Sequence, residues 1–391
     1  MKKFRSSFIF ILSVFLIIAY SQTSYAVQIS VRSVDSISID GVGLLSPENG
    51  GIEYGAYKNS DHALISSLLS NLYDYPASNA MQKLKIRLLL SKTLPIDGKK
   101  GSVSIFISRI KNLARIGDSK SINAMLAIIP IPQQSEEMQE ILTAAYFINS
   151  QLADACKIAQ KYDSNILNFW KLASIICKAQ QGKLQEAELE AELFSESGAT
   201  LPKDFKIMLP NFTFTPKHQA LAQISWEKYI NDNVLNLPVI KVPFPMPDED
   251  EKSLLKNVEH LAWWNQKEKL SEQDIFNKAS SFYILLHSSG YEPAYKQLRM
   301  LMIYALDQKL EIPQTLQQIL LLDAVISKRQ AEAILLILNI AANKYANELD
   351  FSLFSNITRS LSVLGLTDEA KLFVQERLDA QKQQEIYSSD N

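Results

Sequence analysis

Three kinds of residue in this chain of 391 could carry chemistry: a cluster of glycines, four histidines and two cysteines. The stretch GVGLLSPENGGIEYG, residues 41–55, holds five of the twelve glycines. A dinucleotide site needs G-x-G-x-x-G between a strand and a helix, so that backbone amides can approach the pyrophosphate. Here Gly41 and Gly43 are followed by Ser46. A P-loop needs a closing Gly-Lys-Ser/Thr, and the chain has none. The glycines therefore read as a turn-rich lead-in to the first helix, with Asn59, Ser60 or Asp61 available as its cap. His62, His218, His260 and His287 stand at no metal-ligand spacing, and neither cysteine lies near one of them. No G-x-S-x-G elbow occurs. Glu186, Glu188, Glu190 and Glu192 in EAELEAELF read as the solvated face of a helix. These patterns predict no catalytic residue, no metal and no cofactor. One binding signal is left. Trp263 and Trp264 are adjacent, with His260 one turn before Trp264. Neighbours on a helix point ~100° apart, so the two indoles cannot share one buried stripe. Trp263, Trp264 and His260 are the candidate binding surface.

Charge and the first residues narrow the setting. Net charge is −2, and −5 once Lys2, Lys3 and Arg5 are set aside. A mildly acidic chain has no electrostatic footprint for nucleic acid, and none is expected as a partner. The basic start, the apolar run FIFILSVFLIIAY from Phe8 to Tyr20, and the small pair Ser24 and Ala26 together predict an export signal cleaved after Ala26. No later segment approaches twenty uninterrupted apolar residues, so no integral membrane segment is expected after cleavage. The expected location is the periplasm or the cell exterior. An oxidising compartment favours reading Cys156 and Cys177 as a disulfide.

The elements that must position these residues are helical. HALISSLLSNLY places Leu64, Leu68 and Leu72 on one stripe, and the stretches after it keep the same period. Only residues 27–40 alternate in the manner of a strand. Pro76, Pro95, Gly117, Pro130, Gly182 and Gly198 fall between the helical stretches. The expected fold class is all-α. Three segments align on turns at Gly117, Ser150 and Gly182, spaced by 33 and 32 residues. Five residues past each turn come Ile122, Ala155 and Ala187, and nine past come Leu126, Ala159 and Ala191. A similar turn stands at Gly365, with Ala370 five later. A period near 34 with small residues at these offsets resembles the tetratricopeptide repeat, which implies antiparallel helix pairs stacked into an α/α solenoid. In this register Cys156 lies early in the second helix of one pair, and Cys177 late in the first helix of the next. Both then stand at a similar height on sequential antiparallel helices, compatible with the ~5.5–6 Å between Cα atoms that a disulfide needs.

Pro238, Pro243, Pro245 and Pro247 forbid a regular helix across residues 231–252, which read as an extended linker or a strap. The expected organisation is a signal peptide at 1–26, a glycine-rich lead-in at 27–60, a helical array at 61–230, the proline-rich segment at 231–252 and a second helical array at 253–391. AILLILNIAA is apolar almost all round and belongs in the middle of a bundle. GVGLLS followed by GG near the start, with RQAEAILLILNIAA and GLTDEAKLFVQERL near the end, resembles a group of exported alphaproteobacterial helical proteins with no established activity. That resemblance implies an envelope α-solenoid and brings no catalytic residue with it. Cell-wall lytic enzymes that combine a helical superhelix with a catalytic glutamate place a serine and then a Gly-Leu-Met-Gln run after it. Glu196 precedes Ser197 here, but no such run follows. The leading expectation is an exported scaffold binding a protein or peptide in the envelope, without enzymatic activity of its own. The competing one is a peptidoglycan-acting envelope enzyme or an accessory subunit of one.

Overall fold

Short polar side chains set where the helices begin. Asp61, Ser78, Ser104, Asp118 and Ser135 each accept a hydrogen bond from the N–H three residues on, satisfying one donor that the first helical turn leaves free. The computed structural model describes residues 39–94, 104–162, 168–199, 226–245 and 269–389, with Leu201, Pro202, Phe205 and Leu209 between them. The described residues lie in one compact unit, Ile39–Asn391. The export signal and the strand-like stretch up to residue 38 lie outside the described residues.

The helices are α1 (His62–Ser70), α2 (Asn79–Leu90), α3 (Ile105–Arg115), α4 (Ser119–Ile128), α5 (Glu136–Ile148), α6 (Leu152–Ala159), α7 (Asn168–Gln180) and α8 (Leu184–Glu196). They continue as α9 (Glu272–Ser288), α10 (Pro293–Gln308), α11 (Gln314–Ile326), α12 (Gln330–Ala341), α13 (Phe351–Val363) and α14 (Thr367–Ser389). Among the described residues the only β feature is an isolated parallel bridge between Leu45 and Ser91, so the class is all-α. None of these helices is long and apolar enough to cross a membrane.

From α3 onward the helices pack as pairs: α3 with α4, α5 with α6, α7 with α8, α9 with α10, α11 with α12 and α13 with α14. Each pair turns on a residue with left-handed backbone: Gly117, Ser150, Gly182, Gly290, Lys328 and Gly365. At Gly182 the turn residue donates to Ala179 O at 3.0 Å, and Lys183 N–H reaches back to Lys178 O at 3.0 Å. At Lys328 the same two bonds go to Val325 O at 3.1 Å and, from Arg329, to Ala324 O at 2.8 Å. All six turns bond in this way. The arrangement satisfies the carbonyls that a helix end leaves orphaned, and glycine adopts it without the steric cost of a Cβ. Gly117, Ser150, Gly182 and Gly365 are the turns that the spacing predicts; Gly290 and Lys328 complete the set. Ile122, Ala155, Ala187, Leu126, Ala159 and Ala191 are all buried, as small or apolar residues must be where helices approach closely.

Cys156 on α6 and Cys177 on α7 stand at disulfide-bonding distance, with Cα atoms 5.5 Å apart. The pair lies between α6 of one helix pair and α7 of the next.

Helix α12 is the centre of the core. Every residue from Gln330 to Ala341 is buried except Asn339, which is half-buried. It packs on α1, α2, α11 and α13, while α10 packs on α1 and α14 on α2. Helices from both sides of the proline-rich segment therefore share one core. Residues 226–233 are helical, Val234 and Leu235 close that helix by donating to Ile230 O at 2.9 Å, and residues 236–245 have no regular secondary structure. Asn231–Asn233 thus finish a helix and do not open the extended stretch, because the first helix-forbidding proline is five residues further on, at Pro238. Leu235 and Leu237 are buried. Asn236 O accepts from Lys111 Nζ at 3.2 Å and Pro238 O from Ser70 Oγ at 3.2 Å. Phe244 meets the Tyr304 ring edge-on at 5.0 Å. The described part of this segment is strapped across α1, α3 and α10; residues 246–252 lie outside the described residues.

Candidate functional site

The glycine-rich stretch is anchored by its backbone. A Cβ on Gly43 would stand 2.4 Å from the Ser91 carbonyl, so only glycine lets the two chains come this close. Leu44 and Leu45 N–H both donate to Leu90 O, at 2.7 and 3.0 Å. Arg109 is wholly buried beneath this junction. Its Nε donates to Leu89 O at 2.9 Å, its Nη1 to Val42 O at 2.9 Å and its Nη2 to Ser91 O at 2.6 Å. A buried guanidinium is tolerated when its donors are satisfied, and here carbonyls of the entrance and of the end of α2 satisfy them. Further along, Glu53 N–H donates to Gln330 Oε1 at 3.0 Å, and Ala331 N–H to Ala56 O at 2.9 Å. Gln330 Nε2 in turn donates to Leu364 O at 3.0 Å. The glycine-rich entrance bonds directly to the start of α12, and Gln330 there bonds on to Leu364, the residue before GLTDEAKLFVQERL.

Beside that junction lies a cleft of about 1070 Å³ between α11 and α13. Ile319, Leu322, Val325 and Ile326 line it from α11, and Asn356, Arg359, Ser360 and Val363 from α13. Glu53, Gln330, Leu364 and Gly365 lie at the junction, and Lys328 contributes from the α11–α12 turn. Leu322, Ile326 and Val363 are 59%, 71% and 64% exposed, so an apolar strip stands in solvent here. Lys328 and Arg359 are exposed and make no ion pair or side-chain hydrogen bond with other described residues.

The turn that carries Lys328 is held from behind by a buried charge cluster. Arg329 Nε donates to Glu332 Oε2 at 3.0 Å and its Nη2 to Tyr295 Oη at 2.6 Å; it also bonds the Asp323 carboxylate. Arg299 Nη2 lies 3.5 Å from Glu332 Oε1 and its guanidinium 4.7 Å over the Tyr295 ring. Burial, then the Asp323 carboxylate beside it, push the Tyr295 phenol well above its ordinary value. Burial opposes the charge on Arg329, but Asp323 and Glu332 outweigh it and the pKa rises. Tyr295 and Arg299 lie five and nine residues past the Gly290 turn, the offsets where Ala155 and Ala159 follow Ser150. Where that pair is close-packed by alanines, this one holds a neutral network of two cations and two anions.

A second group of perturbed residues sits on α5. Burial first, then Glu136 and Glu137, raise the Glu140 carboxyl to about 7, against the opposing pull of Lys111. Glu136 Oε1 accepts from Trp170 Nε1 at 2.8 Å, and the Tyr162 ring stacks on Trp170 at 4.2 Å. A smaller cleft of about 250 Å³ lies under the strap, lined by Ser70, Asn71, Arg115, Asn236, Asp307 and Lys309.

Trp263, Trp264 and His260, the surface expected from sequence, lie outside the described residues, as does His218. His62 Nδ1 faces Ser66 Oγ at 3.5 Å, and the His287 ring lies 5.7 Å from that of Tyr295. Glu186, Glu188 and Glu192 are exposed, while Glu190 bonds Lys178. Of Asn59, Ser60 and Asp61, it is Asp61 that caps α1, its Oδ1 accepting from Leu64 N–H at 2.9 Å. Among the described residues no group of three His, Cys, Asp or Glu side chains is placed to hold a metal ion. The α11–α13 cleft is not marked by any motif. One signal was present: ILLLDAVI carries more apolar residues than one buried stripe can hold. Compared with known proteins, the chain matches no protein-family model, no curated protein and no solved structure.

Proposed function

We propose that this chain is an exported scaffold of tetratricopeptide-like helix pairs that holds a protein or peptide in the cell envelope, with the α11–α13 cleft as its docking site. The observation that carries this reading is the cleft itself. An apolar strip of this size, rimmed by polar and charged residues, is what interaction sites present. Six pairs with one turn geometry support stacking into an α-solenoid, an architecture that exposes extended binding surfaces. On this reading the arrays 61–230 and 253–391 meet through α1 and α2. Export and a periplasmic or external location rest on the leader sequence, and the cysteine pair at bonding distance is compatible with them. Crosslinking in intact cells, with a photoreactive residue at Leu322 and a control at exposed Glu188, tests the reading. A discrete adduct from position 322 alone is expected; no adduct, or the same adducts from both, would remove the scaffold assignment.

A peptidoglycan-acting enzyme, or an accessory subunit of one, has one observation in its favour. Glu140, with a carboxyl pKa of about 7, lies close enough to Tyr162 to act on its titration, and Tyr162 stacks on Trp170. A raised carboxyl is the form a general acid takes, and the half-buried Tyr162 ring, backed by the wholly buried Trp170, is the one face of the stacked pair open to a sugar. Purified cell wall in a zymogram separates the two readings. Clearing that Glu140→Gln abolishes would replace the scaffold with a hydrolase.

A further inference from the structure

Five of the six pair-closing turns place glycine or serine at the left-handed position; the sixth places Lys328 there, at φ +55°. A long side chain in this region carries a steric cost that glycine avoids. Residues kept in such a conformation cluster at functional sites. Among the described residues the only other lysine with positive φ is Lys309, and it too lines a cleft, the narrower one under the strap. Lys328 is presented at the mouth of the large cleft, and the next residue, Arg329, is fixed by Asp323, Glu332 and Tyr295. Arg359 lines the same cleft from α13.

We propose that the α11–α13 cleft receives an acidic amphipathic helix of a partner protein, its apolar ridge lying on Leu322, Ile326 and Val363 and its carboxylates meeting Lys328 and Arg359. The inference rests on the scaffold reading and names the chemistry of the partner. Charge complementarity selects the sign. The two cations are unpaired with other described side chains, and the one lining anion, Glu53, stands at the junction with the glycine-rich stretch. Shape selects the helix. Leu322 and Ile326 are one turn apart on α11 and form an exposed ridge with Val363 across from it. Helix-in-groove recognition reads such a surface through apolar anchors at one-turn intervals. The volume of about 1070 Å³ lies at the upper limit of small-molecule pockets, which suits side chains of a macromolecule.

The test uses the full chain and three rhodamine-labelled synthetic amphipathic peptides of about 15 residues, or roughly four helical turns. They share one leucine ridge and carry flanking glutamates, glutamines or lysines. Fluorescence anisotropy at low salt is expected to show the glutamate peptide binding about tenfold more tightly than the lysine peptide, a gap that narrows as salt screens it. Lys328→Gly and Arg359→Gln should each remove several-fold of that preference. Lys328→Gly should also raise the denaturant midpoint, since it relieves the left-handed lysine, so lost binding cannot be laid to lost folding. Equal binding of all three peptides, or a glutamate preference untouched in both variants, overturns the acidic partner while leaving the docking groove standing. No binding of any peptide overturns the proposal, and failure of the Leu322 crosslink as well removes the scaffold. Vesicles of phosphatidylglycerol bound through Lys328 and Arg359, with no peptide bound, would reassign the cleft to a membrane surface.

Discussion

Glu369 Oε1 accepts a hydrogen bond from Arg87 Nη1 at 2.8 Å, tying α2 to α14 across nearly the whole described chain. Arg87 Nη2 also reaches Gly51 O at 3.2 Å, and Glu376 Oε1 accepts from Ala80 N–H at 2.9 Å in the first turn of α2. The glycine-rich entrance, α2 and α14 are thus one joint. Glu369→Ala should cost about 1–2 kcal/mol, the scale of a charged hydrogen bond with one partly exposed partner. Urea unfolding followed by circular dichroism and by tryptophan fluorescence should shift together, because Trp170 and Trp226 are buried in the same compact unit. A fluorescence transition that stays in place while the dichroism moves would show two parts unfolding separately.

Gly43→Ala should be far more costly than its size suggests. The added Cβ would meet the Ser91 carbonyl at 2.4 Å, and the obstacle is backbone held by Arg109, which cannot swing aside. A loss of about 2 kcal/mol or more is expected. Gly55→Ala is the control: nothing lies within 4 Å of its Cβ position, and the change should be near neutral in a thermal melt. Equal melting temperatures for the two variants would mean the entrance segment is not seated on Ser91.

The pair Cys156 and Cys177 closes a sequence separation of 21 residues. The chain-entropy model assigns such a loop roughly 3 kcal/mol. Cys156→Ala with Cys177→Ala should lower the denaturant midpoint accordingly, and unreduced tryptic digests of the native chain should contain the crosslinked peptides. Thiols that alkylate freely without reductant would refute the bond.

The cysteine pair was legible because both residues sit within two consecutive turns of one period, Ser150 and Gly182. Local information sufficed there. The cap of α1 was legible in part: Asn59, Ser60 and Asp61 were the candidates, and it is Asp61 that accepts from Leu64 N–H. The second half was harder to read. Its turns at Gly290, Lys328 and Gly365 are spaced by 38 and 37 residues, and lysine is not a residue that announces a left-handed turn. The cleft was not legible at all. Leu322 and Val363 become neighbours only because α11 packs on α13, and Glu53 joins them only because Gln330 captures its N–H across 277 residues of sequence. No pattern within a helix encodes such a meeting. The glycines match no phosphate-loop pattern, and the role they do have depends on Arg109, 66 positions beyond Gly43.

Glu140 gives the fold a pH dependence whose sign follows from its surroundings. Burial, then Glu136 and Glu137, raise its carboxyl from 4.5 to about 7, with Lys111 pulling the other way. The neighbours are themselves engaged: Glu136 with Trp170, and Glu137 with Lys111 at 3.0 Å. Between about 4.5 and about 7 the folded chain therefore holds a proton at Glu140 that the unfolded chain has released. Stability from this site is full below about 4.5 and is lost as pH rises through about 7. Glu140→Gln keeps a neutral group of nearly the same shape at every pH. The native chain should lose stability between pH ~5 and ~7.5 more steeply than the variant, and the two curves should run parallel above that range. Lys111 also bonds Asn236 O, so a charged Glu140 competes with Glu137 and the strap for the same ammonium. Denaturant midpoints measured across that range decide the matter: parallel curves from pH ~5 upward would mean that Glu140 titrates as an ordinary surface carboxylate.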